Sequence, residues 1–156
     1  MLHIKLVVFG KLKEAYLRQA CAEYEKRLGA YCKLETIELT PAPLPEKPTP
    51  AQIEQALAAE AKSAGEKILK NASVVALCVE GRQMSSEQFA AWIGTQPNAI
   101  TILAGSSFGL DDFLKAKADL RLSMSEMTFP HQLARVMLLE QLYRALNLNH
   151  GGKYHK

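Results

Sequence analysis

Apolar segments of two kinds alternate along this chain. Short continuous runs bounded by turn residues predict strands at 2–9, 34–39, 73–79, 99–104 and 120–123. Segments with apolar residues at three- and four-residue intervals predict helices at 14–28, 50–68, 85–93, 111–118 and 130–146. This alternation predicts an α/β fold with a mainly parallel sheet of five or six strands, covered by helices on both faces.

Capping and turn residues mark several boundaries. Residues 49–52 and 85–88 both have capping-box spacing, a Ser or Thr followed three positions later by Gln, which predicts that a helix begins at each. Gly81 predicts a turn after the third strand. Five of the seven prolines fall within 40–50, so this segment, the proline loop, is predicted to be irregular.

The last predicted helix is apolar around most of its circumference. Its apolar residues are Leu133, Val136, Met137, Leu139, Leu142, Tyr143 and Leu146. Either a homodimer interface or a position in the centre of the core would bury them. Glu140 and Arg144 are four residues apart, which is typical of a helix-surface ion pair.

Polar groups lie at both ends of this helix. His131 is in its first turn, where a neutral imidazole could accept a proton or simply bond to nearby backbone. Arg135 follows one turn later, so the two side chains could bind one anion together. The tail after the helix carries Tyr154, His155 and Lys156, which is either a chemical site or a disordered end.

Three loops are candidates for ligand binding, because ligands of open parallel sheets bind beyond the carboxyl ends of the strands. These loops are 77–82, 104–110 and 124–130. The second, the glycine loop, contains Gly105 and Gly109, and small residues there would let a ligand approach backbone amides. It lacks the three-glycine spacing of dinucleotide sites and does not follow the first strand, which disfavours such a site.

Composition narrows the possibilities further. The chain has 156 residues, 48% of them hydrophobic and 22% charged, so we expect one globular domain spanning 1–156. A net charge of +3 permits an anionic partner without identifying one. Cys21, Cys32 and Cys78 are scattered, which predicts reduced core thiols and neither disulfides nor a metal site. We find no signal peptide and no membrane span, and we expect a cytoplasmic protein.

Several separated motifs together resemble one known family, RlmH (YbeA). The motifs are Gly10-Lys11-Leu12-Lys13, Tyr24-Glu25-Lys26-Arg27-Leu28, the Gly105 loop, Thr128-Phe129-Pro130-His131-Gln132, Glu140-Gln141-Leu142-Tyr143-Arg144-Ala145 and Tyr154-His155-Lys156. They run the length of the chain. The resemblance implies a homodimeric methyltransferase of the SPOUT class, an α/β fold with a C-terminal trefoil knot. It further implies S-adenosylmethionine as cofactor and N3 of a pseudouridine in large-subunit ribosomal RNA of the assembled bacterial ribosome as acceptor.

The same resemblance implies which residues bind the cofactor. They are Leu77, Gly105, Met124, Ser125, Glu126, Met127, Thr128 and Phe129. The glycine loop is one residue longer here than in the family pattern, so Ala104 is an alternative to Gly105.

The resemblance also implies catalytic roles. Removing the N3 proton calls for a base or for groups that stabilise the ring anion, and His155, Tyr154 and His131 are candidates. Arg135, with Lys153 and Lys156, would hold phosphate or stabilise charge. No metal is expected. A non-catalytic RNA-binding module and an α/β protein that binds another nucleotide cofactor are the alternatives.

Overall fold

The computed structural model describes residues 1–156, and its centre is a five-stranded sheet. The strands are β1 (Leu2–Phe9), β2 (Cys32–Leu39), β3 (Ser73–Gln83), β4 (Ala99–Leu103) and β5 (Leu120–Ser123). Their order is β2-β1-β4-β3-β5, and every neighbouring pair is parallel. The structure therefore confirms the α/β fold and the parallel sheet.

Five helices cover the two faces of the sheet. They are α1 (Ala15–Leu28), α2 (Pro50–Gly65), α3 (Ser86–Gly94), α4 (Asp112–Lys117) and α5 (His131–Asn149). Helix α5 packs against both α1 and α3 on one face, while α2 contacts α4 on the other. Alternate residues of β1 point to opposite faces: Ile4 and Leu6 join the larger apolar cluster, and Val7 joins the smaller one below α2.

Both capping boxes form. Thr49 Oγ1 accepts a hydrogen bond from Gln52 N, and Thr49 N donates to Gln52 Oε1. Ser85 and Gln88 make the same reciprocal pair. Helix α2 ends at Gly65, earlier than predicted, and the chain leaves it through two tight turns.

The third strand differs from its prediction. It runs to Gln83, and both Leu77 and Arg82 pair with Leu122 of β5, so the residues between them leave the ladder as a bulge. The predicted turn at Gly81 is therefore wrong. A Cβ at Gly81 would lie 2.8 Å from the carbonyl oxygen of Arg121, so glycine is needed where β5 approaches most closely.

The bulge also changes the environment of one cysteine. Cys21 and Cys32 are buried as predicted, but Cys78 is only half-buried because it lies within the bulge. Burial and the nearby Glu80 carboxylate raise its pKa. The prediction of a core thiol is wrong for Cys78.

Helix α5 is the central helix of its layer. Its residues Leu138, Leu139 and Leu142 are fully buried in the larger cluster, whereas Leu133 near its start is 43% exposed. The interpretation as a core helix is therefore confirmed, and the homodimer and the knot stay predictions. No helix combines the length and the apolar character needed to cross a bilayer.

Candidate functional site

A cavity of about 670 Å³ opens at the carboxyl edge of the sheet. This volume lies in the range of small-molecule sites. Its walls come from the β3 bulge, the glycine loop and the 124–129 segment, together with the first turns of α5. The three loops selected from the sequence thus meet in one site, because their strands are parallel and end at the same edge.

The glycine loop owes its shape to its own packing. A Cβ on Gly105 would lie 2.3 Å from both the carbonyl carbon and oxygen of Gly109. Gly109, with φ of +84°, donates its N–H to the carbonyl oxygen of Ser106 at 2.9 Å. Gly105 is therefore required for the loop to close on itself, a reason different from the ligand approach expected from the sequence. Ala104 and Gly105 both line the cavity.

The segment after β5 forms a tight turn at the cavity wall. Ser125 Oγ accepts a hydrogen bond from Met127 N at 3.0 Å, and Ser123 Oγ donates to the carbonyl oxygen of Ser125. Five of its six predicted cofactor residues line the cavity, as Leu77 does. Glu126 does not, because it lies at the tip of the turn with its side chain exposed.

Arg135 is the most buried cationic side chain of this wall. Its side chain is 10% exposed, and its Nη1 donates to Glu38 Oε2 at 2.8 Å. Its Nε is buried without a protein partner. A buried donor without a partner is unfavourable by roughly 1–3 kcal/mol, so this N–H is suited to a ligand acceptor. His131 is exposed on the same wall, so the predicted pair does share one site.

Two lysines form a basic rim at the cavity, a role that the sequence interpretation did not assign to them. Lys11 and Lys13 line the cavity on the loop after β1 and form no ion pair. Arg18 Nη1 donates to the carbonyl oxygens of Leu12 and Lys13, and Lys13 N donates to Gln132 Oε1. The loop backbone is therefore held in place while the ammonium groups stay free.

The tail is ordered, so its interpretation as a disordered end is wrong. Tyr154 Oη donates to Glu140 Oε1 at 3.1 Å, and its ring packs edge-on to that of Tyr143. The pKa of Tyr154 is raised to about 12, mainly by burial and further by hydrogen bonds with Tyr24 and Glu140. The predicted ion pair between Glu140 and Arg144 is present.

Both ring nitrogens of His155 are engaged. Nε2 lies 2.7 Å from Glu87 Oε1 and Nδ1 lies 3.0 Å from Arg144 Nη1. A neutral ring satisfies both when Nε2 carries the proton, and no nitrogen is then free to act as a base. His155 and Tyr154 contact α5 around Glu140 and Arg144, at least about 13 Å along the helix from His131. Neither Tyr154 nor His155 lines the cavity, so one chain alone does not bring the tail to it.

The sequence interpretation assigned no site role to several residues at the cavity, although Cys78 and Glu80 lie in its 77–82 loop and Lys11 and Lys13 in its first motif. They are Lys11, Lys13, Pro41, Cys78, Glu80 and Lys115. Applying the carboxyl-edge rule to the first strand would have found the two lysines, since β1 lies beside β4. The ion pair between Lys115 and Glu80 could not be predicted from local sequence, because 35 residues separate the two. No group of three or more His, Cys, Asp or Glu side chains is placed to hold a metal ion.

Comparison with known proteins finds one family and several similar proteins, all described as methyltransferases. Residues 2–155 match the family described as "Predicted SPOUT methyltransferase". Proteins named ribosomal RNA large subunit methyltransferase H are 47% identical in Bifidobacterium adolescentis and 43% identical in Streptococcus suis, each covering 98% of this chain and 99% of the relative. The same name belongs to a Clostridioides difficile protein that is 42% identical over 99% of this chain and 100% of its own.

A solved structure has the same fold. It is that of a probable methylase family protein from Haemophilus influenzae Rd KW20, with a TM-score of 0.56 and 14% identity. The match covers 99% of this chain and 70% of that one.

Proposed function

We propose that this chain, which belongs to the SPOUT methyltransferase family and matches proteins named ribosomal RNA large subunit methyltransferase H over 98% of its length, methylates large-subunit ribosomal RNA. The observation that carries the proposal is the cavity at the carboxyl edge, which brings together Leu77, the glycine loop and the 124–129 segment, the parts of the chain that the family resemblance assigns to the cofactor. We further propose S-adenosylmethionine as donor and N3 of a pseudouridine on the assembled ribosome as acceptor.

The residues of the cavity fit such a donor. Leu77, Leu122, Phe129 and Leu138 supply apolar wall for a purine ring. Val79, Phe108 and Met127 line the cavity and are about half or more exposed, so a bound ligand would cover apolar surface that is otherwise open to water. The donor supplies an electrophilic methyl group on a positively charged sulfur.

The remaining chemistry belongs to protein side chains. An N3 proton has to leave the acceptor ring, and the exposed imidazole of His131 on the cavity wall is one group that can take it. The unpaired Nε–H of Arg135 is a donor for negative charge that develops on the ring. The nearby Glu38 carboxylate holds the guanidinium by one nitrogen and so fixes its orientation.

Tyr154 and His155 could take part in this reaction only if they came from a second subunit, because they do not line the cavity of their own chain. In a homodimer, the tail of one chain would lie at the cavity of the other, and there Tyr154 and His155 would act on the acceptor base. The exposed Leu133 at the start of α5 lies beside the cavity wall and supports association through this helix. His155 would have to exchange Glu87 or Arg144 for the acceptor before moving a proton.

The basic rim is the surface for RNA phosphates. Lys11 and Lys13 are unpaired at the opening, where the RNA backbone flanking a target base would pass, and Arg18 holds the backbone of their loop. Each lost phosphate contact should reduce the slope of log affinity against log salt by about 0.7 to 0.9. We expect Lys11→Ala and Lys13→Ala to show this reduction, and Lys33→Ala, at the opposite edge of the sheet, to leave the slope unchanged.

Two experiments test the function. Ribosomes that lack the modification should accept labelled methyl from S-adenosylmethionine when incubated with this protein, and the label should map to N3 of a pseudouridine. Calorimetry against S-adenosylmethionine, NAD and a bare RNA hairpin distinguishes the alternatives. Binding of NAD alone would favour another nucleotide-cofactor protein. Binding of RNA without any donor binding or transfer would favour a non-catalytic module.

A further inference from the structure

Glu60 is an acidic side chain buried in the smaller helical layer. It lies on α2 and is 6% exposed, and no lysine, arginine or histidine pairs with it. Carboxylates are rarely buried without a cationic partner, since desolvation disfavours the charged form. Its neighbours on the helix, Ala61 and Ala64, pack in the apolar cluster. A buried carboxylate in this setting calls for an explanation.

Its two oxygens join two separate loops. Oε1 accepts a hydrogen bond from Ser106 Oγ at 2.7 Å, in the glycine loop. Oε2 accepts one from Ala42 N at 2.9 Å, in the proline loop. Ser106 also accepts the Gly109 N–H that closes the glycine loop. The carboxylate thus connects the segment that forms one wall of the cavity to a segment far away in the chain.

Before its last residues cap helix α2, the proline loop has no other polar attachment. The Ala42 bond is the one hydrogen bond that residues 41–48 make. Pro41, next to Ala42, lines the cavity itself. A second cavity of about 250 Å³ lies between the proline loop, Glu60 and the glycine loop. Without the carboxylate, both loops have empty space into which they can move.

We propose that Glu60 is a positioning residue, which holds Pro41 and the glycine loop at a fixed separation and thereby sets the affinity for the methyl donor. The proposal deepens the function proposed above and rests on it. It also gives the proline loop a role, as a wall of the donor site fixed at one point.

Three variants separate positioning from mere stability. Glu60→Met keeps the volume and removes both acceptors. Ser106→Ala removes the bond to the glycine loop only. Glu60→Gln is the conservative variant, because its amide can accept from Ala42 N and donate to Ser106 Oγ. Glu54→Gln, exposed on the same helix, is the matched control.

Hydrogen exchange of the free protein gives a readout independent of any ligand. In Glu60→Met, we expect faster exchange at the Ala42 amide and at residues 104–110 together. In Ser106→Ala, we expect faster exchange at 104–110 while Ala42 stays protected. The melting temperature should fall modestly in Glu60→Met, because the Ala42 N–H and the Ser106 hydroxyl lose their acceptor.

Calorimetry with S-adenosylmethionine gives the second readout. We expect the donor to bind Glu60→Met at least about tenfold more weakly, with most of the affinity restored in Glu60→Gln and all of it in Glu54→Gln. Unchanged donor affinity in a folded Glu60→Met protein, or a lower melting temperature with unchanged exchange and affinity, would overturn the positioning role. If Glu60→Met does not fold, Ser106→Ala with wild-type affinity and exchange overturns it. If the wild-type protein does not bind the donor at all, the proposed function fails instead, and exchange still tests the connection between the loops.

Discussion

Substituting Gly105 by alanine adds one methyl group at the tightest point of the glycine loop. The new carbon would lie 2.3 Å from the carbonyl carbon and oxygen of Gly109 and 2.8 Å from Leu110 N. Carbon atoms in contact are normally about 3.5–4.0 Å apart, so the loop would have to open by more than about 1 Å. Because the obstructing atoms are backbone, no side-chain rotation relieves the clash. Overpacking of this kind costs about 1–3 kcal/mol.

We expect this cost to appear mainly in ligand binding. If the opened loop must close again around S-adenosylmethionine, the same 1–3 kcal/mol lowers the affinity for this donor by roughly five-fold to more than a hundredfold, since about 1.4 kcal/mol is a tenfold change in Kd. Gly105→Val would enlarge the clash. Calorimetry on the folded variant measures the change directly.

Gly65→Ala is the matched control. A Cβ at Gly65, the last residue of α2, meets nothing within 4 Å. Alanine there should stabilise the protein by about 0.4–1 kcal/mol through the unfolded chain and leave donor affinity unchanged. Wild-type donor affinity in folded Gly105→Ala would refute the argument that the closed glycine loop is the binding conformation.

Three further predictions concern the assembly and the tail. Sedimentation should give about twice the 17.2 kDa chain mass, and a monomer at micromolar concentration would contradict the homodimer. Deleting 154–156 should leave donor binding nearly normal and reduce methyl transfer at least about a hundredfold, whereas normal transfer would remove Tyr154 and His155 from the mechanism. The pKa of Tyr154 is raised to about 12 from an unfolded value near 10, so its contribution to stability is complete below pH 10 and is lost as the pH rises through 12. A titration followed by tyrosinate absorbance should therefore show one tyrosine that ionises at higher pH than the others. Substituting Glu140 by Gln should bring that ionisation to lower pH.

How far the sequence predicts the structure varies with the range of the interactions involved. Thr49 and Gln52 are three residues apart, and their capping box could be found because both partners belong to one turn. The bulge at Gly81 could not, because it depends on register against β5 some forty residues later. Because all five strands are parallel, the carboxyl-edge rule predicts the position of the cavity from the strand pattern alone.

Glu60 leaves one signal in the sequence. It lies between Leu57 and Ala64 on the apolar face of the predicted helix, a position where a charged residue is unexpected. That signal points to a buried polar contact, but the partners, Ala42 and Ser106, are 18 and 46 residues away. The helical periodicity of the sequence can therefore show that a polar side chain is buried, but it cannot show which distant residues bond to it.

The half-buried thiol in the β3 bulge allows the occupancy of the cavity to be measured by chemical labelling. Cys78 lines the cavity, whereas Cys21 and Cys32 are buried in the core, so a thiol reagent meets a single accessible target in the folded, unaltered chain. The raised pKa of Cys78 slows alkylation at neutral pH and makes its rate easy to follow by mass in mild alkali. A molecule seated against the bulge shields that sulfur, and the fraction of labelled chains then counts filled sites without a tag, a dye or an engineered residue.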